Sequence, residues 1–354
     1  MRKHRKIAIL EPAGSHGEII YSQILLLQKA KYETHLILRK NHPEKNKNYD
    51  FVQYMNSFSQ DKNFFKRLLN IFRIRNYLKK KQIHKLIINT AQGAFVRDIC
   101  FFLPRNIEVV GIMHNPQKLK HSFTQKLINK RIRKYFVLND YILNNIQIPS
   151  GLKIQSFYPV FYPYSYEGPK NTDNHNLTIT IPGNIDMKRR DYHSLLQERD
   201  LPDHVKIIFL GRCNNKNAED YRKQVSEKFS SSKVVFFDEF IPENQFLHFI
   251  AQSDLILPLL TPNTEFFENY KRYKITGAIN LSFGFKKPML MHHSLGEIED
   301  YRNTSFFYED GELFSLIRKL EQERTLITSK MNEIEKIDKF KFYYQLKTYT
   351  TFIG

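Results

Sequence analysis

Residues 237–260 read FDEFIPENQFLHFIAQSDLILPLL. The stretch opens as the end of a strand, turns at Ile241-Pro242, and continues as a helix between Glu243 and Gln252. Ser253-Asp254 then leads into an apolar run over 255–259. A short continuous apolar run bounded by turn signals suits a strand buried on both faces, and such burial goes with parallel sheets.

Outward from this stretch the alternation continues. An apolar run over 177–181 stops at Pro182-Gly183-Asn184, and one over 206–210 stops at Gly211-Arg212. Residues 233–237, 288–291 and 305–308 supply further strands. Helices are expected over 191–201 and 217–229, and 313–341 is a charged, helix-rich tail. The front half repeats the plan, with strands over 6–11, 34–38, 85–89, 108–114 and 134–138. It adds a helix over 17–31, a turn at Pro12-Ala13-Gly14-Ser15 and a polar, loop-rich 41–60. Short buried strands alternating with helices predict α/β units with parallel sheets covered on both faces.

The 354 residues exceed one ordinary core of roughly 100–150 residues and fit two domains. The interruption at 156–170, where Pro159, Pro163 and Pro169 lie among aromatic residues, marks the link. The expected organisation is therefore a first domain over 1–165, a second over 166–330 and a helical tail over 331–354 placed to pack back on the first. With 41% hydrophobic and 26% charged residues, wholesale disorder is excluded. Cys100 and Cys213 alone cannot build a disulfide framework or a cysteine-based zinc site, which fits a reducing compartment. No apolar run approaches the ~18–20 residues of a membrane span. The basic start is followed only by Ile7-Ala8-Ile9-Leu10 before Glu11, short of the about 7–15 residues of an export signal. The expected location is the cytoplasm.

The formal net charge of +19 is one-sided. Residues 1–165 hold 29 of the 55 Lys and Arg but 9 of the 36 Asp and Glu. Two runs concentrate the excess. In 62–85, Lys62, Lys66, Arg67, Arg73 and Arg75 interleave with Phe64, Phe65, Leu69 and Phe72. In 118–134, Lys120, Lys126, Lys130 and Arg131 surround Phe123, Leu127, Ile128 and Ile132. Apolar residues recur every three or four positions, as on amphipathic helices. A basic face beside an apolar edge suits an anionic lipid surface, at about 1 kcal/mol per well-placed Lys or Arg. A solvated helix face remains the plain alternative, and nucleic acid is the other anionic partner. No RNP-type signature, zinc finger or leucine zipper is present, so nucleic acid is not the expected partner.

Ligands of open parallel sheets sit beyond the carboxyl ends of strands, where backbone N–H groups and helix N-termini are exposed. In the second half such places are Gly183, Asn184 and the cations Lys188 and Arg189; Gly211 and Arg212; and Lys274, Thr276 and Gly277, where a turn leads into a helix. In the first half they are His16 and Glu18 on the first loop and His114 at the end of a strand. Surface turns and loop hydrogen bonding are the bland readings of these residues, and His292 and His293 are read as loop residues.

The order of these features resembles the donor-binding domain of GT-B glycosyltransferases, family 4 in particular. It covers Pro182 to His292: a Pro-Gly strand end followed by Lys188-Arg189 and Tyr192, a Phe-Leu-Gly211 strand, the quoted 237–260 stretch, and Lys274-Ile275-Thr276-Gly277-Ala278 running to Gly284-Phe285-Lys286-Lys287-Pro288. The first half matches in plan. The resemblance implies two Rossmann-like domains with parallel sheets facing a central cleft. It implies transfer of a sugar from a nucleotide-diphosphate donor, bound by the second domain, to a lipid-linked or other glycan acceptor in bacterial surface polysaccharide synthesis. His114, His16 and Glu18 are then candidates at the acceptor hydroxyl. Lys66, Arg67, Arg73, Arg75, Lys126, Lys130 and Arg131 become candidates for the inner face of the cytoplasmic membrane. No metal and no cofactor is expected besides the donor substrate. Many retaining members carry Glu-x7-Glu ahead of the Gly-x-Pro element. Tyr273 and Leu281 stand at those places here, with Glu265 and Glu268 nearby at another spacing. The stereochemistry is therefore open, and a non-catalytic binding protein of the same fold is the alternative.

Overall fold

The computed structural model describes residues 5–47, 49, 52–54, 57–58, 63–164, 176–197 and 200–354, with 45 and 46 described in backbone only. The expectations placed on residues 1–4, on Lys62 and on 165–170 with Pro169 lie outside the described residues. The chain forms two compact units, Met1–Phe161 with Lys341–Gly354, and Tyr162–Phe340.

In the first unit seven strands form one all-parallel sheet: β1 (Arg5–Glu11), β2 (Tyr32–Leu38), β3 (Val52–Tyr54), β4 (Lys85–Ile88), β5 (Glu108–Ile112), β6 (Lys134–Val137) and β7 (Lys153–Ser156), in the order β3-β2-β1-β4-β5-β6-β7. Ile7, Ala8, Ile9 and Leu10 of β1 are fully buried, as an unbroken apolar strand at the middle of a two-sided sheet requires. The helix Phe342–Ile353 returns to this unit, with Tyr349 stacked on Phe136 at 4.7 Å. The second unit has six parallel strands: β8 (Leu177–Pro182), β9 (Val205–Leu210), β10 (Val234–Val235), β11 (Leu255–Ile256), β12 (Met289–His292) and β13 (Ser305–Tyr308), ordered β10-β9-β8-β11-β12-β13. In both sheets the strand order reverses beside the first strand, between β1 and β4 and between β8 and β11. That is where open α/β sheets leave a crevice beyond their carboxyl ends.

Several expectations are corrected. The unit boundary falls at Phe161/Tyr162 rather than 165/166, because Tyr162 and Tyr164 pack on Phe285 of the second unit at 5.5 and 5.4 Å. Residues 331–340 stay in that unit, where Phe340 stacks on Phe283 at 4.3 Å. The amphipathic run over 118–134 is two short helices, Lys118–His121 and Phe123–Asn129. Ser122 leaves the helical region between them, and its Oγ caps the second by accepting from Gln125 N at 3.2 Å. The expected helix over 191–201 is only His193–Leu196, before the buried Leu201 and Pro202 lead into β9. The apolar run over 255–259 pairs only at Leu255–Ile256. Pro258 lacks the N–H a ladder needs, and Leu259 turns away at φ 55.

Candidate functional site

The loop after β1 brings His16 to the end of β5. His16 adopts a left-handed conformation (φ 67), and its ring stacks on that of His114 with centroids 3.7 Å apart and planes 15° from parallel. Glu18 completes the group, its Oε1 3.5 Å from His16 Nδ1. All three residues proposed for the acceptor hydroxyl therefore meet in one place within the first unit.

Their charges are set by surroundings. Burial, and after it the neighbouring His16, pushes His114 down to about 3, so its imidazole is neutral. His114 Nε2 donates to the Asn89 carbonyl at 2.8 Å, which leaves Nδ1 as the bare nitrogen. Burial also opposes charge on His16, but Glu18, through hydrogen bonding and Coulomb attraction, and then Glu11 outweigh it and raise its pKa. Glu18 is lowered: the partial desolvation of its half-exposed carboxylate is overcome by the hydrogen bond and Coulomb attraction of His16. A His16–Glu18 pair beside a neutral, oriented His114 can hold a hydroxyl and exchange its proton.

Two residues here escaped the sequence reading. Glu11 closes β1 fully buried, and Asn89 follows β4 equally buried. Burial pushes Glu11 up to about 7 against hydrogen bonds from Asn89, Ala13 and Thr90. Their signal was slight: a polar residue ending an apolar strand immediately before a loop.

In the second unit, Gly183 and Gly211 end the neighbouring strands β8 and β9 in direct backbone contact. A Cβ at Gly211 would lie 2.1 Å from the Gly183 carbonyl oxygen, and Gly183 has φ 99, so both positions demand glycine. Asn184 Oδ1 accepts from Arg212 N at 3.4 Å, joining the two strand ends. Lys188 and Arg189 are exposed and already paired, with Glu265 at 3.3 Å and Asp186 at 3.1 Å. Thr276 Oγ1 accepts from Ala278 N at 3.1 Å and caps the nine-residue helix Gly277–Phe285, while a Cβ at Gly277 would meet nothing within 4 Å. Lys274 lies over the Phe266 ring. The helix start thus presents backbone donors to open space, as an anion site needs. A cavity of about 200 Å³ in this unit is lined by Asp191, Thr261, Tyr308 and Asp310 among others; its carboxylates do not suit a diphosphate.

The basic helix Phe64–Lys80 exposes Phe65 (73%) and Leu69 (60%); Phe101 (81%) and Phe123 (75%) are exposed on neighbouring helices. Lys66, Arg73, Lys126 and Lys130 are exposed too, and Arg75 is half-buried. Arg67 is committed to Asp98 at 2.8 Å, and Arg131 donates to the carbonyls of Pro104 and Ile107. These two hold helices and loops rather than facing outward. Among the described residues no cluster of His, Cys, Asp and Glu fits a metal, and no helix is long and apolar enough to cross a membrane.

No family model and no curated protein sequence matches the chain. Solved structures do. HepE of Anabaena, captured with UDP, superposes with a TM-score of 0.68 at 11% identity, over 98% of both chains. The same protein with UDP-glucose gives 0.67 at 12% identity, over 98% of this chain and 99% of that one. A glycosyltransferase from Rickettsia africae gives 0.65 at 14% identity, over 99% of this chain and 98% of its own. The N-terminal domain of a trehalose-6-phosphate phosphatase from Candida albicans gives 0.61 at 9% identity, over 98% of each. The fold is that of GT-B glycosyltransferases, two α/β units with parallel sheets of seven and six strands.

Proposed function

We propose that the chain is a glycosyltransferase that moves a sugar from a nucleotide-diphosphate donor, held by the second unit, to a lipid-linked glycan acceptor whose hydroxyl is met by the first. The observation that carries this reading is the convergence of His16, Glu18 and His114 beyond the carboxyl ends of β1 and β5. Glycosyl transfer asks little else of a protein: a proton acceptor at the hydroxyl, and positive potential for the departing diphosphate. The capped helix start at Thr276 and Gly277 and the abutting Gly183 and Gly211 support the second requirement. The likeness to HepE with bound UDP and UDP-glucose supports the donor class.

The lipid-linked acceptor is argued from the first unit's charge and its exposed aromatic residues. Lys66, Arg73, Lys126 and Lys130 beside Phe65, Leu69, Phe101 and Phe123 form a surface for an anionic bilayer. The protein would then work in the cytoplasm at the inner face of its membrane, in surface polysaccharide synthesis.

The test is release of nucleoside diphosphate from a panel of nucleotide sugars offered with a membrane-lipid extract. Turnover is expected with one of them, and His16→Ala or His114→Ala should lower it by about 10²–10⁴-fold. Tight donor binding with no turnover on any acceptor would instead establish a binding protein of the same fold.

A further inference from the structure

Resting on the reading of His16 and His114 as the acceptor site, we infer that Asn89 and Glu11 are its positioning residues. Asn89 joins Glu11, the His16 backbone and the His114 ring into one hydrogen-bonded unit, through which the Glu11 carboxylate acts on the charge of His16.

Asn89 spends its polar groups on this task. Its backbone N–H donates to Leu10 O at 2.8 Å, continuing the pairing of β4 with β1. Its side-chain Nδ2 donates to Glu11 Oε2 at 2.5 Å and to the His16 carbonyl at 2.9 Å. Oδ1 accepts from Gln23 Nε2 at 2.6 Å, and its carbonyl accepts from His114 Nε2 at 2.8 Å. Gln23 is held in turn, because its Oε1 accepts from Tyr349 OH at 3.0 Å. The His16 carbonyl and an ionised Glu11 can only accept, so with Glu11 ionised the Asn89 amide cannot flip without losing both. The bond to the His16 carbonyl also holds the left-handed turn, which costs a non-glycine residue about 1 kcal/mol.

Glu11 receives two further donors, Ala13 N at 2.5 Å and Thr90 Oγ1 at 2.9 Å. All three donors favour the ionised carboxylate, and complete burial favours the neutral acid. This opposition lets it titrate near neutrality. The other titratable and charged groups around the loop are Glu18, His114, the His42 and Glu44 side chains that pack against Gly17, and Arg39, whose guanidinium approaches Gly14; Lys47 answers Glu44 at 2.5 Å. Glu18 supplies one negative charge to His16 and Glu11 a second, so an ionised Glu11 makes His16 the stronger proton acceptor.

The experiment uses the full-length chain with ¹⁵N-labelled histidine, following ring signals from pH 5 to 9. Signals of His16 and His114 are assigned by their disappearance in His16→Gln and His114→Gln. His114 should stay neutral with the proton on Nε2. Glu11→Gln should lower the His16 titration midpoint by about one pH unit, the scale of one charge at several ångströms in a half-buried site. Glu11→Asp, which keeps the charge, should hold the midpoint closer to the parent. An unmoved midpoint in Glu11→Gln, or equal shifts in the Gln and Asp variants, overturns the inference. Should Glu11→Gln fail to fold, Thr90→Val removes one donor and disfavours ionised Glu11, so the midpoint must fall in the same direction. The titration needs no substrate and stands apart from the proposed reaction. In turnover, Glu11→Gln should lower kcat with donor KM unchanged; unchanged kcat beside a shifted midpoint would overturn the role of Glu11 in the reaction alone.

Discussion

Glu11 at the end of β1 and His114 just past β5, two strands joined through β4, pull the first unit's stability in opposite directions as pH changes. Glu11 titrates at about 7 in the fold against an ordinary 4.5, so the folded state holds more protons than the unfolded one between those values. Its effect is to make stability fall as pH rises from about 4.5 to 7, by at most about 3 kcal/mol. His114 titrates at about 3 against 6.5, so between those values the unfolded state holds more protons, and stability rises with pH. The two nearly offset each other from about pH 4.5 to 6.5. Glu11→Gln should unmask the His114 contribution as a steeper rise in melting temperature over that interval. His114→Gln should unmask a decline, and parallel melting curves for both variants and the parent would contradict the assignment. Neither sign was readable in the sequence. Glu11 looks there like the last residue of a strand, and only the fold shows it sealed beneath Asn89 and Thr90.

At the scale of elements, the strands written as pure apolar runs were legible, and those relying on partners were not. Residues 6–11 and 177–181 announce β1 and β8 because a strand buried on both faces is dominated by apolar and β-branched side chains, here Ile7 to Leu10 and LTITI, with the polar Glu11 and Thr180 hydrogen-bonded. The edge strands β3 and β7, with sequences VQY and KIQS, are half exposed and look like loop. The helix start at Thr276 was legible because capping is local chemistry: Thr276 Oγ1 meets Ala278 N two residues on. The stacking of His16 on His114 was not, since it joins residues nearly a hundred positions apart through sheet topology. The Thr276 cap yields a controlled prediction. Thr276→Ala should cost about 1 kcal/mol of stability and also weaken nucleoside diphosphate binding, measured by calorimetry. Asn215→Ala removes a comparable cap, from helix Lys216–Lys228, where Asn215 Oδ1 accepts from Ala218 N at 3.0 Å. It should cost similar stability and leave diphosphate binding intact. Equal losses of binding in the two variants would detach the Thr276 helix from the donor.

For the whole molecule, charge and exposed apolar surface coincide on the first unit. A purely electrostatic surface would release from lipid as salt rises, whereas a purely apolar one would ignore lipid charge. Residues 1–165 carry the entire excess of positive charge, and the basic helix Phe64–Lys80 combines exposed Lys66 and Arg73 with exposed Phe65 and Leu69. Each well-placed cation contributes about 1 kcal/mol near an anionic surface, and inserted aromatic side chains add a salt-independent part. Sedimentation with phosphatidylglycerol vesicles should therefore capture the protein at low salt, and only partly release it at 0.5 M, where the screening length shrinks to roughly 4 Å. Phosphatidylcholine vesicles should capture little. Phe65→Ser with Phe123→Ser should convert the residual capture at high salt into full release, without lowering the melting temperature, because neither side chain is buried. Lys66→Gln with Lys126→Gln should reduce capture at low salt instead. Equal capture by both lipids would refute the electrostatic part, and complete release of the parent protein by salt would refute the inserted aromatic part.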